Sequence, residues 1–314
     1  MSDSQWTVGA GDAGVRLDKF LAAGGRLGSR PQASAAIDRG KVFVNGQEAG
    51  ADAAAMRLAP GDVVRVWTDR PGTAKRRRVL GGPRGLEIVF EDEAIIVLNK
   101  PAGLLAVPLP RRGDAPSVYA ELARYLPGRG QRPFVVHRID RDTSGLVVFA
   151  KDAGAQEALK EQFKRREAER VYCAVVYGHP SPAAGTWRDR LVWDRAALVQ
   201  KKAHAGDPRG AEAVSEYRVV EPLDGASLLE VRLVSGRRNQ IRLQAKLRGH
   251  PLVGERRYVD DGDRLQTIAF PRQALHAQRL AFRHPLTSQP LAFEALLPDD
   301  LRRLIDRLRA RRSR

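Results

Sequence analysis

Short apolar runs, not separated by regularly alternating helices, constrain the fold of this 314-residue chain most strongly. Each run is bounded by glycine, proline or charged residues, which is typical of a β-strand. The clearest runs are LEIVF at 86–90, AIIVLN at 94–99, GLVVFAK at 145–151, VYCAVVYG at 171–178 and LLEVRLV at 228–234. Helical patterns are fewer and occur at irregular intervals. Because the strands outnumber the helices and do not alternate with them, we predict an α+β fold and not a doubly wound sheet.

A basic segment rich in proline and glycine divides the chain. It reads DRPGTAKRRRVLGGPRG at 69–85, a composition typical of a linker. The residues before it combine two short helical patterns with a hairpin signal at Asn45-Gly46 and a strand at 63–67. We therefore predict a small N-terminal domain at 1–68, a linker at 69–85 and a larger domain at 86–314.

The charge balance points to a polyanionic partner. Lys and Arg number 54 against 37 Asp and Glu, a net charge of +17, and such an excess favours nucleic acid. The single cysteine, Cys173, excludes an intrachain disulfide, and no Cys/His cluster has zinc-like spacing. We expect a cytoplasmic protein, because neither a signal peptide nor an apolar membrane span is recognisable.

The segment HRIDRDTSGL at 137–146 places two carboxylates among arginines directly before an apolar run. Nearby positive charge keeps a carboxylate ionised, so Asp140 or Asp142 could act as a nucleophile or a base. Alternatively, the acidic residues could only stabilise a turn, together with Thr143 and Ser144. The spacing alone leaves both interpretations open.

Three arginines follow a later strand in GRRNQIRLQ at 236–244. Arg242 lies in the predicted helix beside apolar residues, which favours a partly buried guanidinium, the best partner for a buried carboxylate. Arg237 and Arg238 could instead contact phosphates. Tyr172 lies on the strand VYCAVVYG, where alternation separates it from Cys173. Its ring could stack on a base or simply fill the core, and Cys173 is expected to be a small buried hydrophobic residue.

These segments together resemble the RluA-type RNA pseudouridine synthases. HRIDRDTSGLVVFAK matches the family's hallmark, with Ile139 where leucine is usual. Further blocks recur in the family's order: VFEDEAIIVLNKPAG, RVYCAVVYG, GRRNQIRLQ, GHPLVGERRY, LHAQRLAFRHP and LLPDDLRRLI. The N-terminal residues resemble an S4-type RNA-binding domain, in GVRLDKFLA, SRPQASAAIDRGKVFVNG and LAPGDVVRV.

The resemblance implies the fold and the reaction. We expect a pseudouridine synthase fold with a mixed, largely antiparallel central sheet, joined to a small α/β S4-like domain. A uridine in RNA, most often ribosomal RNA and alternatively tRNA, would be isomerised to pseudouridine by a monomeric enzyme with no cofactor or metal. Asp140 corresponds to the catalytic aspartate, Tyr172 to the tyrosine that stacks on the target base, and Arg242 to the arginine that pairs with the aspartate. The Tyr172 hydroxyl is also a candidate for helping to remove the carbon 5 proton.

RNA contacts are expected from both domains. The candidates are His137, Arg138, Arg237, Arg238, Arg16, Ser29 and Arg30. Of these, His137 and Arg138 are candidates for holding open the site of a flipped base.

This sequence departs from the family pattern at a few positions. Arg238-Asn239 stands where Thr-His is frequent, Gln244 replaces a frequent histidine, and Val107-Pro108 replaces His-Pro. None of these departures coincides with Asp140, Tyr172 or Arg242, so we expect them to affect RNA selection more than the reaction. Two other functions stay open from the sequence: a non-catalytic RNA-binding protein, and a glycoside-type hydrolase using Asp140 and Asp142.

Overall fold

The structure is a computed structural model that describes residues 3–38, 40–49, 51–67, 86–108, 115–127, 130–259 and 268–312. The chain divides into two units, residues 1–80 and 81–314. The predicted linker at 69–85 lies outside the described residues, and the predicted domain boundaries stay predictions.

The N-terminal unit combines a small antiparallel sheet with two helices. Its elements are β1 (Asp3–Thr7), α1 (Leu17–Ala22), α2 (Arg30–Asp38), β2 (Val42–Val44), β3 (Gln47–Glu48) and β4 (Val63–Trp67), with short 3₁₀ helices at Ala10–Asp12 and Ala51–Ala55. The strand order is β1-β4-β2-β3. Asn45 and Gly46 have φ of 51° and 78°, as a tight hairpin turn requires, which confirms the predicted turn. Leu17, Phe20 and Leu21 are buried, as their helical spacing predicts.

The larger unit is built around one mixed sheet. Its strands are β5 (Glu87–Glu91), β6 (Ile95–Lys100), β7 (Phe134–Val135), β8 (Ser144–Ala150), β9 (Glu169–Tyr177), β10 (Ala184–Asp194), β11 (Val199–Lys202), β12 (Ala211–Leu223), β13 (Ala226–Leu233), β14 (Leu275–Arg283) and β15 (Pro290–Glu294). Its helices are α3 (Val118–Tyr125), α4 (Ala153–Lys164), α5 (Gln240–Leu247) and α6 (Asp299–Arg312). The sheet order is β11-β10-β12-β13-β9-β14-β8-β6-β5, with β15 beside β14 and β7 beside β8.

Most neighbouring strands in this sheet are antiparallel. Within the described residues, β14 and β8 form the parallel pair. The prediction of an α+β fold with a mixed, largely antiparallel sheet is confirmed.

Several strands were not predicted from the sequence, among them β1 of the N-terminal unit and β10, β11 and β12 of the larger unit. β10, β11 and β12 form long hairpins in which buried and exposed residues alternate along much of their length. Their exposed positions carry many charged side chains, so they lack the continuous apolar runs that identify the central strands. The short helix α3 was also missed. At the C-terminal end, Asp299 was predicted to be the N-cap residue that precedes the last helix. In the structure it is the first residue of α6.

Side chains of strand β9 point alternately to the two faces of the central sheet. Tyr172 and Ala174 pack towards α5, in a cluster that includes Ile241 of that helix. Cys173 packs on the opposite side with apolar residues of α6, including Leu304. This arrangement confirms the predicted alternation and the buried, apolar environment of Cys173, which is 5% exposed.

A glycine permits the close approach of β8 and β14. Gly145 has φ of 112°, and a Cβ atom there would lie 2.3 Å from the carbonyl oxygen of Ala277. A side chain would therefore collide with the backbone of β14. The glycine allows β14 to lie between β8 and β9, and so places the charged loop before β8 near Tyr172.

Candidate active site

Buried contacts anchor the loop that carries Asp140. The Lys100 side chain is fully buried, and its Nζ donates hydrogen bonds of 2.8 Å to the carbonyl oxygens of Pro101, Leu104 and Arg141. The protonated ammonium group offers three N–H donors to the three carbonyl oxygens, although burial lowers the pKa of Lys100 to about 7. Because Arg141 follows Asp140 directly, Lys100 fixes the backbone beside the carboxylate.

The residues that follow Asp140 have structural roles. The Thr143 amide donates to the Asp140 carbonyl oxygen over 3.2 Å, and the Thr143 hydroxyl accepts a hydrogen bond from Gln273 Nε2 over 3.3 Å. Ser144 Oγ lies 2.9 Å from His276 Nδ1. These contacts confirm that Thr143 and Ser144 stabilise the turn.

The Asp140 carboxylate faces two donors from a different part of the chain. Its Oδ2 accepts hydrogen bonds from Arg242 Nη1 and from Asn239 Nδ2, both over 3.2 Å. Its side chain is 23% exposed, and it lines a cavity of about 500 Å³. A carboxylate held by two donors at the wall of a cavity can act on a bound molecule without first being reorganised.

A second carboxylate, Glu255, holds Arg242 in place. Both guanidinium atoms Nε and Nη2 of Arg242 donate to Glu255 over 2.6 Å, and the Glu255 side chain is fully buried. Burial lowers the pKa of Arg242, but Glu255 and Asp140 outweigh burial and raise it. Burial raises the pKa of Glu255, but Arg242 outweighs burial and lowers it. Arg242 therefore stays charged and bridges two carboxylates.

Tyr172 lines the same cavity as Asp140. It is 6% exposed, and burial raises the pKa of its phenol to about 12. The structure thus brings together Asp140, Tyr172 and Arg242, the three residues that the sequence selected as catalytic.

His137 is tied to the protein and is neutral. Its Nε2 accepts a hydrogen bond from the Val148 amide over 3.2 Å, and its ring stacks on Phe163 with centroids 4.7 Å apart. Burial, followed by the nearby Arg170, lowers the pKa of His137 to about 3. An uncharged ring is a poor phosphate ligand, so His137 shapes the cavity wall more than it attracts RNA.

The low pKa of His137 predicts a pH effect on stability. An unfolded-state histidine titrates near 6.5, so between pH 6.5 and 3 the unfolded state binds a proton that the folded state does not. His137 is therefore expected to make stability fall with decreasing pH by up to about 1.4 kcal/mol per pH unit. Urea denaturation of wild type and His137→Gln from pH 7 to 4 measures this effect. Equal slopes for both proteins would contradict it.

The arginines of the larger unit that were predicted to contact RNA lie at or near the cavity. Arg138 and Arg237 are exposed and line the cavity. Arg238 lies with its guanidinium carbon 4.0 Å from the ring centroid of Trp193. These positions leave the guanidinium groups accessible to a phosphate backbone.

The candidates of the N-terminal unit lie at the starts of its helices. Arg16 precedes α1 and pairs with Asp18 over 3.0 Å. The Ser29 hydroxyl accepts the Gln32 amide over 3.3 Å at the start of α2, and Arg30 is the exposed first residue of α2.

Asp142 does not form a carboxylate pair with Asp140. It pairs with its neighbour Arg141 over 3.1 Å, and it is not among the residues that line the cavity. Asp140 thus lies in the cavity without Asp142, so the geometry does not favour the hydrolase interpretation with these two residues.

Sequence reasoning missed several residues of the site. One departure from the family pattern lies in the site itself, because the Asn239 amide donates a hydrogen bond to Asp140. Glu255 lies in the segment GHPLVGERRY. The only feature of the sequence that could have indicated a buried carboxylate there is its position just after an apolar stretch. Arg170 shares a strand face with Tyr172, two positions away, and also lines the cavity.

The described residues contain neither a metal-binding cluster nor a membrane-spanning helix. In that part of the chain, no group of three or more His, Cys, Asp or Glu side chains is arranged to hold a metal ion. Nor does any helix within it have the length and apolar character needed to cross a membrane.

Comparisons with known proteins point to one family. Residues 94–247 match the family model for RNA pseudouridylate synthase, and residues 15–64 match the S4 domain. An uncharacterised RNA pseudouridine synthase of Bacillus subtilis is 37% identical over 303 residues, covering 94% of each chain. The ribosomal large subunit pseudouridine synthase D of Escherichia coli is 35% identical, covering 97% of this chain and 94% of its own.

Solved structures agree on the fold. Human RNA pseudouridylate synthase domain containing 4 superposes with a TM-score of 0.58 at 22% identity, covering 71% of this chain and 93% of its own. At 22% sequence identity, this similarity shows a shared fold and nothing more.

Proposed function

This chain belongs to the RNA pseudouridylate synthase family, and we propose that it acts on ribosomal RNA with Asp140 as its catalytic carboxylate. The family and the relatives identify an isomerase that converts uridine in RNA to pseudouridine. The choice of ribosomal RNA is supported by relatives named ribosomal large subunit pseudouridine synthase D. Monomeric state and cytoplasmic location stay predictions.

The contact between Asp140 and Arg242 carries the assignment of the catalytic carboxylate. Asp140 Oδ2 lies 3.2 Å from Arg242 Nη1, although the two residues are far apart in sequence. Tyr172 lines the same cavity from a third segment. A half-buried carboxylate and a buried guanidinium that converge in a cavity are typical of a catalytic site.

The reaction rearranges the bonds of a single nucleotide. The bond between N1 of uracil and C1′ of ribose breaks, and a bond from C5 to C1′ forms. The C5 proton is lost and N1 gains a proton, so the product is an isomer of the substrate. Asp140 could attack C1′ or remove a proton from the neighbouring carbon, and both roles require an ionised carboxylate. Arg242 and Asn239 donate to that carboxylate and orient it.

Tyr172 is proposed to stack on the target base. Because its pKa is raised to about 12, little phenolate is present at neutral pH, and the phenol is a weak base. Its ring lies within the cavity wall, where a flipped uracil would need a flat apolar surface. Stacking is therefore favoured over removal of the C5 proton as its main role.

The N-terminal unit is proposed to contribute RNA affinity. The S4 match covers residues 15–64, which contain Arg16, Ser29 and Arg30. We propose that Arg16 and Arg30 contact RNA phosphates. The Ser29 hydroxyl already accepts an amide at the start of α2, so its contribution is to hold that helix start in place.

RNA binding is expected to weaken steeply with salt. The chain carries a net charge of +17, and each phosphate contact releases counterions. With six or more contacts, affinity should fall by about 10³-fold between 50 and 200 mM salt. Filter binding of an RNA at several salt concentrations gives the slope, and a flat response would contradict an electrostatic contribution.

Pseudouridine mapping tests the proposed substrate. Total RNA from cells with and without the gene is treated with carbodiimide, which marks pseudouridines as stops in reverse transcription. We expect at least one stop in ribosomal RNA to disappear without the gene and to return when the gene is restored. If the lost stops lay only in tRNA, ribosomal RNA would be excluded as the substrate.

A further inference from the structure

Arg170 is a buried cation that the proposed reaction does not use. It is 7% exposed, and its Nε is a buried side-chain atom with no hydrogen-bond partner among the described residues. Its Nη2 makes one long hydrogen bond, over 3.4 Å, to the Leu233 carbonyl oxygen. In the same part of the chain, no carboxylate forms an ion pair with it. A buried charge without a partner is costly, so its retention points to a ligand.

The position of Arg170 directs it into the candidate active site. Alternation along β9 places Arg170 and Tyr172 on the same face, and both line the cavity that contains Asp140. The guanidinium carbon lies 5.3 Å from the ring centroid of Phe163, which positions the group at one wall.

A glycine makes room for this guanidinium. A Cβ atom on Gly236 would lie 2.4 Å from Arg170 Nη1, so a larger residue would displace the arginine. Gly236 lies in the Ser235-Gly236 turn after β13, and it too lines the cavity. The turn thus leaves space that the guanidinium occupies.

The surroundings of Arg170 favour an anion as its ligand. Lys164, Arg166 and Arg237 line the same cavity, and of these Lys164 and Arg166 are paired with the exposed carboxylates of Glu161 and Glu212. In an RNA substrate the anionic groups are the backbone phosphates, and guanidinium binds phosphate oxygens with geometry suited to its planar fork. The uracil carbonyl groups are neutral, so they would compensate the positive charge of Arg170 less well than a phosphate.

We propose that Arg170 binds a backbone phosphate at or next to the target uridine. This inference rests on the proposed function and adds a phosphate-binding residue to the cavity. Arg170 would hold the sugar-phosphate backbone while the base stacks on Tyr172, and so would place the ribose opposite Asp140.

Neutralising single phosphates tests the contact. The substrate is the synthetic stem-loop RNA around the uridine identified by carbodiimide mapping, with one methylphosphonate at each linkage near that uridine in turn. For wild type, we expect one linkage to lower kcat/KM by about 10- to 100-fold, as loss of a charged hydrogen bond does. In Arg170→Met the unmodified RNA should show that loss, and the methylphosphonate at the same linkage should cause little further loss.

Matched variants separate this contact from general effects of charge and folding. Arg302→Met removes an exposed cation paired with Asp299, and it should retain the wild-type penalty at the sensitive linkage. Gly236→Ala should displace the guanidinium and reproduce the Arg170→Met pattern, which provides a second test if Arg170→Met does not fold. Thermal melting identifies variants that do not fold.

Two results would overturn the inference. One is a methylphosphonate penalty that stays the same in folded Arg170→Met or Gly236→Ala. The other is the absence of any sensitive linkage near the target uridine in an active wild-type enzyme. Failure of the proposed function is a different observation, because wild type would then form no pseudouridine in ribosomal RNA.

Discussion

Replacing Asp140 by alanine is expected to reduce pseudouridine formation by about 10⁴-fold or more. The carboxylate lines the cavity and is oriented by Arg242 and Asn239, and no other carboxylate is proposed to act on the ribose. RNA binding should change little, because phosphate contacts by other residues supply most of the affinity. Nucleoside chromatography of digested RNA measures the product, and filter binding measures affinity.

Asp142→Ala provides the matched control for Asp140→Ala. It removes a carboxylate two positions away that pairs with Arg141 and lies outside the cavity lining. We expect near-normal turnover from this variant. Normal turnover by Asp140→Ala would remove Asp140 from the mechanism, and an equal loss in Asp142→Ala would indicate that the whole loop, and not the single carboxylate, had been disturbed.

Replacing Arg242 by methionine is expected to reduce both stability and activity. The change leaves Glu255, whose side chain is fully buried, without its cation. Breaking a buried ion pair from one side costs about 3–5 kcal/mol. Asp140 would also lose one of its two donors, which should lower turnover by at least about 10²-fold. Urea denaturation and nucleoside chromatography measure the two effects.

A double variant separates the two effects of losing Arg242. In Arg242→Met/Glu255→Gln the unpaired buried charge is gone, and the glutamine can still accept the backbone amides of Arg256 and Arg257. We expect most of the lost stability to return, because uncharged replacements of a buried pair are often well tolerated. Activity should stay low. Recovery of activity together with stability would mean that Arg242 is needed for folding only.

Local patterns predicted the central strands and the α-helices other than α3. The alternation in VYCAVVYG separated Tyr172 from Cys173, and the structure places them on opposite faces of β9. The charged stretch before an apolar run predicted a loop that carries Asp140 directly before a buried strand. The strands β10 to β12 were missed because they alternate polar and apolar residues at the edge of the sheet, where a long polar face resembles a loop.

The partners of the site residues could not be found in the same way. Glu255 binds Arg242 more closely than Asp140 does, at 2.6 Å against 3.2 Å, although spacing and family resemblance pointed only to the aspartate. Asn239 was regarded as a departure that affects RNA selection, yet its amide reaches Asp140. Hydrogen bonds depend on the direction of side chains brought together by folding, which spacing along a strand or helix does not specify.

The sequence by itself determined the central strands and most of the helices, the positive charge that suits an RNA partner, and, through the family resemblance, the three candidate catalytic side chains. Strand and helix periodicity and turn chemistry act between near neighbours in the chain, so they can be read directly. Only the tertiary structure decided that Arg242 bridges two carboxylates, that His137 is a neutral part of the wall, and that Arg170 is buried without an acidic partner among the described residues. Burial and pairing depend on which distant segments meet across the sheet, and that is settled when the strands take their order.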